Sequence, residues 1–524
     1  MLDLASTYPH VPVADMLARI RRDDEGRPRK HVLVLGAGMA GLVAARELQA
    51  LGHTVRIVEG SDRIGGRILT HRFEDGSYNE LGAMRVPASH DYTRHYIAAA
   101  SLDDKLIPFV NSVPENFLDL HGRVVRADHG QEAIYPLYGL PGSPTVPATA
   151  YPQPNGGAIF AWLLGNVIAT LTKFEQDSLF KGELTTDRLR ALDGLSLGAF
   201  LDGMVPSEVK RLVGAYTSLA VWFDKAVTMF IRDQIVETGN GLQTLLGGMD
   251  QLPHAIAGKL LAPGTVEHRA EVTRIAVRPG ERVEVDLQTP QGHRREVADF
   301  VLCTLPFGVM RQLALEGLSY EKTYAIGEMT YAASTKVILG FKHRFWEAHY
   351  GIYGGSSVSD GIQRQTYYPM DHIGSPDRVE DGAPVSVHGR APTPKPVAPH
   401  DGADPSRPGA LLGAYCWGAD ALRLGALSPE RRAHAVRLGI SRFHPEVMDD
   451  AGYTGHASIC WATNKWSVGA FAFLRPGQLG SLWAAAGKPE GCLFFAGEHC
   501  SLDQAWIQGA LISSLQAVDQ IVKE

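Results

Sequence analysis

A glycine pattern near the N-terminus is spaced to let the chain approach a phosphate group closely. The pattern consists of Gly36, Ala37, Gly38, Met39, Ala40 and Gly41. In a G-x-G-x-x-G sequence, the first glycine makes a tight turn, the second lets the backbone approach a pyrophosphate, and the third packs a helix against a strand. Glu59 follows at roughly the 20-residue distance at which an acidic side chain accepts hydrogen bonds from ribose hydroxyls. These residues predict a dinucleotide-binding site.

A pair of glycines between two arginines follows directly, in the stretch SDRIGGR (61–67). The glycines, of which the second is Gly66, allow further close approach of the backbone to a ligand. Arg63 and Arg67 carry guanidinium groups that are suited to bidentate contact with a phosphate. A surface loop with solvated arginines is the alternative interpretation.

Arg85 and Lys336 are candidates for residues that carry chemistry. A guanidinium fork binds a carboxylate bidentately, although Arg85 could instead pair with Glu80 or Asp91. Lys336 lies near the start of the strand-like run STKVILGF. A lysine at such a position is most often solvated, so residue type alone does not assign it a function.

Tyr415 is a third candidate, in the stretch GALLGAYCWGADA. Strand alternation predicts that Leu411, Gly413, Tyr415 and Trp417 point to one face, which would present the phenol beside a gap left by the glycine. A tyrosine packed in the core is the alternative.

The C-terminal stretch LFFAGEHCSLDQAWIQGALISSL combines a strand, an acidic residue and a helix start. Gly497 and Glu498 follow the buried-looking strand LFFAG. Asp503 is predicted to cap a helix that starts near Trp506. The N-terminus of that helix would stabilise negative charge on a ligand in front of it.

The elements around the first glycine pattern place it between a strand and a helix. Residues 31–35 form a short apolar run, residues 39–51 have helical composition, and Gly52 stands where a helix C-cap is expected. A second strand is predicted over residues 55–59. This order is typical of a Rossmann-type unit.

Length and composition limit the class of protein. A chain of 524 residues is expected to form two or three domains, and a net charge of −7 argues against a nucleic-acid partner. The five cysteines are scattered without metal-ligand spacing, which favours free thiols, a reducing compartment and no metal site. No secretory signal is visible, and the apolar run 158–172 is shorter than a membrane span, so we expect a cytoplasmic protein without a membrane partner.

Residues 31–67, with RIGGR directly after the strand that ends in Glu59, resemble the first FAD-binding segment of the flavin amine oxidase family. That family includes monoamine, polyamine and L-amino acid oxidases, and this chain most resembles the FAD-dependent L-amino acid oxidases. The resemblance implies an α/β fold with three interleaved parts. They are a Rossmann-type FAD-binding domain (1–75, 238–320 and 456–524), an α+β substrate-binding domain (76–130 and 321–455, with a flexible insertion at 371–410) and an inserted helical domain (131–237).

The resemblance also implies which residues contact FAD. They are the six residues of the glycine pattern, then Glu59, Gly66, Arg67, Gly82, Ala83, Met84, Arg85, Val272, Gly497, Glu498, Trp506 and Ile507. Trp466 is expected near the isoalloxazine. The stretch 461–491, where monoamine oxidases attach their flavin, has no cysteine. Non-covalent FAD is therefore expected.

The same resemblance assigns roles in catalysis. Arg85 and Tyr415 would bind the substrate carboxylate, Trp506 would line the substrate site, and Lys336 would be the catalytic residue that holds a water at flavin N5. Hydride would pass from the α carbon to N5, the imino acid would hydrolyse to a 2-oxo acid and ammonia, and O₂ would be reduced to H₂O₂. The expected partners are an L-amino acid, O₂ and a second copy in a homodimer.

Other functions remain open at this stage. An amino acid 2-monooxygenase would bind the same substrate but decarboxylate it to an amide, and an amine oxidase would not need Arg85. A non-catalytic binding protein on the same scaffold is the alternative from another class. The candidates for the substrate side-chain pocket are Trp222, Phe223, Met229 and Phe230 of the helical region.

Overall fold

The computed structural model describes residues 11–139, 163, 165, 167–217, 219–238, 241–278, 280, 282–374 and 396–524. Residues 128–157 are rich in Pro, Gly and Tyr, which predicts a long connection. The greater part of this connection and of the predicted flexible insertion at 371–410 lies outside the described residues. The apolar run 158–172, which favours a buried core helix over a membrane span, is described only in part. Its described members Leu163, Val167, Ile168 and Leu171 are buried.

The strands of the described residues, in chain order, are β1 (His31–Leu35), β2 (Thr54–Glu59), β3 (Thr70–Arg72), β4 (Tyr78–Glu80), β5 (Val86–Pro87), β6 (Leu106–Phe109), β7 (Phe117–Leu120), β8 (Arg123–Arg126), β9 (Leu242–Leu245), β10 (Val266–His268), β11 (Glu271–Ala276), β12 (Val283–Thr289), β13 (Gly292–Ala298), β14 (Phe300–Cys303), β15 (Ala314–Glu316), β16 (Thr330–Tyr331), β17 (Ser334–Phe341), β18 (Ser356–Ser359), β19 (Gln365–Tyr367), β20 (Gly409–Trp417), β21 (Tyr453–Cys460), β22 (Ala472–Phe473) and β23 (Leu493–Phe495).

The helices, in the same order, are α1 (Val13–Asp24), α2 (Met39–Ala50), α3 (Asp91–Ala99), α4 (Gly130–Ile134), α5 (Lys173–Phe180), α6 (Asp187–Asp193), α7 (Leu197–Asp202), α8 (Ser207–Thr217), α9 (Val227–Thr238), α10 (Gln251–Ala255), α11 (Phe307–Met310), α12 (Tyr320–Glu328), α13 (Phe345–Ala348), α14 (Gly418–Gly425), α15 (Pro429–Ile440), α16 (Trp483–Gly487) and α17 (Ile507–Lys523). None of the helices described is long and apolar enough to cross a bilayer.

A five-stranded parallel sheet carries the glycine pattern, with spatial order β10-β2-β1-β14-β23. β1 is apolar and buried after its first residue, as expected for a parallel strand that is covered on both faces. Gly36 ends β1 with φ +103°, and α2 begins at Met39. The predicted Rossmann-type order of strand, glycine turn, helix and strand is therefore confirmed. Neighbours on both sides of β1 create the switch point at which such sheets bind ligands.

A seven-stranded mixed sheet, ordered β21-β17-β20-β19-β18-β7-β8, faces the glycine turn across a cavity. Every residue of β17 is buried. β17 and β20 are antiparallel, and Lys336 lies directly opposite Tyr415 in their register. The sheet therefore brings together two candidates that are far apart in sequence.

The predicted facing of β20 is wrong in one respect. The pairing of β20 with β17 shifts by one residue at Gly413. This shift is a β-bulge, and it reverses which face of the sheet the side chains on its two sides point to. Leu411 therefore packs in the core on the opposite side of the sheet from Tyr415. A Cβ on Gly413 would lie 2.8 Å from the Leu339 side chain, so the glycine leaves no gap beside the phenol.

Two further predictions about the elements need correction. The stretch REVADFVLCTLP predicts a single strand, but it forms β13 and β14, which belong to different sheets and are separated at Asp299. Residues 68–127, in which strand-like pieces alternate with Gly and Asp turns, predict an antiparallel sheet, yet they also include α3. That helix packs against α17 and α1, and the buried amide of Gln508 accepts a hydrogen bond from the backbone N–H of Thr93 at 3.0 Å.

We predict that Gly41→Ala destabilises the protein by about 3 kcal/mol, because an added Cβ meets backbone that cannot move aside. That Cβ would lie 2.1 Å from the carbonyl oxygen of Gly36. Gly327→Ala, in α12, is the matched control because a Cβ there meets nothing within 4 Å. It should raise stability by about 0.5–1 kcal/mol. Denaturant unfolding of both variants is the measurement, and equal stability of Gly41→Ala and wild type would contradict the close packing.

Candidate active site

One cavity of about 820 Å³ runs from the glycine pattern to the mixed sheet. Apart from Ala37 and Gly41, every residue that the sequence predicts to bind the cofactor lines it. The predicted substrate contacts Arg85, Tyr415 and Trp506 and the predicted catalytic Lys336 line it as well. Ala37 and Gly41 lie just behind the wall, where the first binds Glu59 and the second packs against Gly36. Residues from distant parts of the sequence thus share one space.

The Glu59 carboxylate stands at the end of the cavity nearest β2. It accepts hydrogen bonds from the backbone N–H of Ala37 at 2.8 Å and from the N–H and hydroxyl of Ser61 at 2.8 and 2.7 Å. Carboxylate oxygens can each accept more than one hydrogen bond, so this fixed acceptor keeps capacity for ligand hydroxyls. Its ribose contact stays a prediction.

The glycine turn leaves the space that a phosphate needs. A Cβ on Gly38 would have no protein atom within 4 Å, whereas one on Gly66 would lie 3.3 Å from the Cα of Gly38. Met39 and Ala40, in the first turn of α2, also line the cavity. Free backbone N–H groups at a helix N-terminus favour an anion. The arrangement fits a dinucleotide in which the pyrophosphate lies over Gly38.

Both arginines of the SDRIGGR stretch donate hydrogen bonds to other groups of the protein. Arg63 donates to the backbone carbonyls of Ile64, Gly66 and Ile68 at 3.2, 2.6 and 3.3 Å. Arg67 donates to a carboxylate oxygen of Glu498 at 2.6 Å. These contacts hold the glycine loop in shape, and direct contact of either guanidinium with phosphate stays a prediction.

Glu498 joins three parts of the chain at the middle of the cavity. Besides Arg67, its carboxylate accepts hydrogen bonds from the backbone N–H groups of Ala472 at 3.1 and 3.2 Å and of Ala505 at 3.1 Å. The residue is buried. Its side chain therefore fixes the loop before α17, and its contact with a cofactor stays a prediction.

The predicted helix start near Trp506 is confirmed, but its predicted cap is wrong. Trp506 is the N-cap residue of α17, and no side chain caps the helix. Asp503 instead forms a buried pair with Arg232 of α9 at 3.4 Å, because a buried carboxylate needs a charged partner more than a helix needs a cap. Trp506 and Ile507 line the cavity, so the uncapped end of α17 faces it.

Lys336 is buried, and its ammonium contacts the end of β4 and the residues that follow it. Nζ donates to the carbonyl oxygen of Gly82 at 2.7 Å and of Glu80 at 3.3 Å, and it lies 3.3 Å from the sulfur of Met84. The ring of Tyr415 lies 4.4 Å from Nζ. The lysine is thus not solvated, so the alternative of a solvated lysine at the start of a strand is wrong.

Burial shifts the titration of Lys336 and Glu80 in opposite directions. Loss of water lowers the pKa of Lys336, while the Glu80 carboxylate raises it and Arg85 lowers it further. Burial raises the pKa of Glu80, against hydrogen bonds from the Met249 backbone and the Thr70 hydroxyl and the charge of Lys336. Strongly shifted pKa values that coincide with a cavity are typical of functional sites.

Arg85 and Tyr415 reach the cavity on the same side. The Arg85 guanidinium donates to the side-chain oxygen of Asn111 at 2.8 Å and lies 5.6 Å from the centre of the Phe109 ring. A row of aromatic rings connects Phe109, which contacts Arg85, with Tyr415. The ring centre of Tyr367 lies 5.9 Å from that of Phe109 and 6.3 Å from that of Tyr415. A cation and a phenol on one wall can bind a carboxylate.

Aromatic side chains form the wall beyond Tyr415. Trp222 stacks on Phe471 at 5.2 Å and meets Trp417 edge-on at 4.7 Å. Of the predicted pocket candidates, Trp222 and Phe230 line the cavity. The other two do not: Met229 is fully buried in the core, and the Phe223 ring packs under the Lys210 ammonium at 5.0 Å.

Trp466 lies on Gly60, where a Cβ would be 2.3 Å from the indole ring. It lines the cavity next to Glu59, and its approach to an isoalloxazine stays a prediction. Sequence reasoning missed other lining residues, among them Asn111, Tyr367 and Lys225. Asn111 follows directly on the apolar run LIPFV, but a polar residue after a strand is too common a pattern to identify it.

The chain matches the family model described as flavin containing amine oxidoreductase over residues 39–522. It is 34% identical over 508 residues to the flavin-dependent L-tryptophan oxidase RebO of Lentzea aerocolonigenes, which covers 94% of this chain and 98% of the relative. It is 28% identical to the putative L-amino-acid oxidase YobN of Bacillus subtilis, with 94% of each chain covered.

Two solved structures are similar in fold. Putrescine oxidase bound to putrescine gives a TM-score of 0.68 at 17% identity, covering 95% of this chain and 100% of the other. Cyclohexylamine oxidase from Brevibacterium oxydans gives a TM-score of 0.68 at 18% identity, covering 95% and 99%. At this level of identity, the similarity supports the fold alone.

We predict that Lys336→Met changes how stability depends on pH. Because burial lowers the pKa of Lys336 from 10.5, the folded protein binds fewer protons than the unfolded chain between the lowered value and 10.5. The free energy of unfolding of the wild type should therefore rise with pH in that interval, and the methionine variant should lose this contribution. Exposed Lys181→Met is the control. Parallel pH curves for Lys336→Met and wild type in denaturant unfolding would contradict a desolvated ammonium.

Proposed function

Because the chain belongs to the family of flavin-containing amine oxidoreductases, we propose that it is an FAD-dependent oxidase that deaminates L-amino acids. The observation that carries this proposal is the meeting of Arg85, Lys336 and Tyr415 on one side of a cavity whose other end has a dinucleotide geometry. The names of its relatives agree with that substrate class. A non-catalytic binding protein would not need a buried lysine between these groups.

FAD would be held by the chain along the whole length of the cavity. Glu59 would accept hydrogen bonds from the ribose hydroxyls, and the turn at Gly36–Gly41 would bind the pyrophosphate. Residues 82–84, Glu498 and the start of α17 would surround the isoalloxazine ring. When bound, FAD supplies the acceptor for the hydride of the substrate α carbon and returns the electrons to O₂. The absence of cysteine from residues 461–491 supports non-covalent binding.

The chain's own residues would bind and orient the amino acid. Arg85 would pair with the substrate carboxylate, and the Tyr415 hydroxyl would donate a second hydrogen bond to it. Trp506 and the aromatic wall at Trp222 would exclude water from the reacting carbon. Two carboxylate contacts at fixed positions leave the α carbon one orientation.

Lys336 is the proposed catalytic residue. Its ammonium stands between the Gly82 carbonyl and the Tyr415 ring, and two of its three contacts on residues 80–84 are long, at 3.3 Å. A water molecule can therefore compete with the Glu80 carbonyl or the Met84 sulfur for an N–H of the Lys336 ammonium. In this position Lys336 would orient a water beside the reacting atoms and supply positive charge where anionic character develops.

The proposal extends to the organisation of the protein. The FAD-binding, substrate-binding and helical domains would have the boundaries expected from the sequence. Five free cysteines support a reducing, cytoplasmic environment. A homodimer follows from the family resemblance, and light scattering from the purified protein tests it, since a monomeric mass would remove it.

The reaction predicts a balanced set of products. One L-amino acid, one O₂ and one water should give one 2-oxo acid, one ammonia and one H₂O₂. An amino acid 2-monooxygenase would instead release the amide and CO₂. We expect equal amounts of 2-oxo acid and H₂O₂ from a panel of twenty amino acids, measured by peroxide assay and mass spectrometry. The amide as main product, or oxidation of primary amines in preference to amino acids, would replace the proposed function.

We predict that Arg85→Ala raises KM for L-amino acids roughly 10- to 150-fold while FAD stays bound, because a charge-assisted contact of about 1.5–3 kcal/mol is lost. Tyr415→Phe should raise it only about fivefold, since one hydroxyl worth about 1 kcal/mol is removed. Steady-state kinetics with an amino acid and with its decarboxylated amine is the measurement, and the amine serves as control because it has no carboxylate. An unchanged KM in Arg85→Ala would contradict carboxylate binding by this arginine.

A further inference from the structure

Asn111 lies in the short segment that follows β6 and faces the candidate active site. Its side-chain oxygen accepts a hydrogen bond from Nη1 of Arg85 at 2.8 Å. Its backbone carbonyl accepts one from the hydroxyl of Ser356 in β18 at 2.8 Å. The neighbouring Val110 is buried in the core. The amide of Asn111 is therefore presented from a backbone that is fixed on two sides.

Two residues at the end of β6 and just after it hold one guanidinium. Phe109 presents its ring 5.6 Å from the central carbon of the Arg85 guanidinium, and Asn111 accepts a hydrogen bond from it. Phe109 ends β6 and Asn111 lies in the bend two residues later, and both side chains reach the same guanidinium. The ring restricts the plane of the guanidinium, and the directional hydrogen bond restricts its rotation.

The chemistry of an amide suits this place better than that of a carboxylate. An amide oxygen orients an arginine without cancelling its charge, whereas a carboxylate would form an ion pair and would repel a second carboxylate. Building on the proposed function, we propose that Asn111 is a positioning residue that aims the Arg85 guanidinium at the carboxylate of the substrate. Asn111 itself leaves the charge of Arg85 uncancelled.

The test compares Asn111→Asp, Asn111→Ala and the control Ser112→Ala, which removes a polar group from the next, equally exposed residue. Asn111→Asp keeps the acceptor for Arg85 but adds the charge. The readouts are KM and kcat for the best amino acid of the panel, and the Kd of benzoate from the change in flavin absorbance. Benzamide, which has the same ring without the charge, is the matched ligand. Each variant is first checked for retained flavin absorbance and an unchanged melting temperature.

We expect Asn111→Asp to raise KM and the Kd of benzoate at least about tenfold, and Asn111→Ala to raise both about fivefold. In both variants, kcat and the Kd of benzamide should stay within about twofold of wild type, as should every value for Ser112→Ala. This split separates loss of carboxylate binding from general damage to the site.

Three results would overturn the inference. If wild type oxidises L-amino acids and both Asn111 variants keep its KM and its affinity for benzoate, Asn111 does not position Arg85, although the proposed function stands. Equal loss of benzoate and benzamide binding would show damage to the cavity, and would also overturn it. A wild type that neither oxidises L-amino acids nor binds benzoate removes the proposed function and this inference together.

Discussion

A buried ammonium must find hydrogen-bond acceptors, and Lys336 finds them on a distant part of the chain. The lysine is in β17, while the carbonyl oxygens that accept from it belong to Glu80, the last residue of β4, and to Gly82 just after it. Leaving such a charge without acceptors costs several kcal/mol, so the contact must form for the sheet to pack. It fixes the segment that ends in Arg85 against the strand pair that carries Tyr415. The spacing between the proposed carboxylate partners therefore depends on Lys336.

The opposite end of the cavity depends on close approach of backbone to backbone. A Cβ on Gly41 would clash with the carbonyl of Gly36, and a Cβ on Gly82 would lie 2.2 Å from the carbonyl of Arg67. The close approach of Gly82 to Arg67 packs the segment that Lys336 binds directly against the loop after β2. Arg67 then links that loop to Glu498 and so to the start of α17. A continuous set of contacts thus runs from the glycine turn to the lysine.

Local chemistry explains which features could be predicted from the sequence. The glycine turn, β1, α2 and β2 are fixed by residues that are close together in the chain, and the structure has them where the pattern predicts. The bulge at Gly413 is different, because it is set by how Leu339 of β17 packs against β20. Asp503 likewise pairs with Arg232 from the helical region, a partner that no local pattern indicates. Asn111 could not be identified from the sequence, because its proposed role depends on its contact with Arg85, which is distant in the chain.

The central claim is that the cavity is built for a substrate with both an amine and a carboxylate. Anaerobic mixing of the purified yellow protein with an L-amino acid, and separately with the amine that lacks its carboxylate, tests this most directly. Loss of flavin absorbance is followed in both cases by stopped flow. The account predicts that the L-amino acid bleaches the flavin much faster than the amine at equal concentration. Bleaching by the amine at the same rate or faster would contradict it.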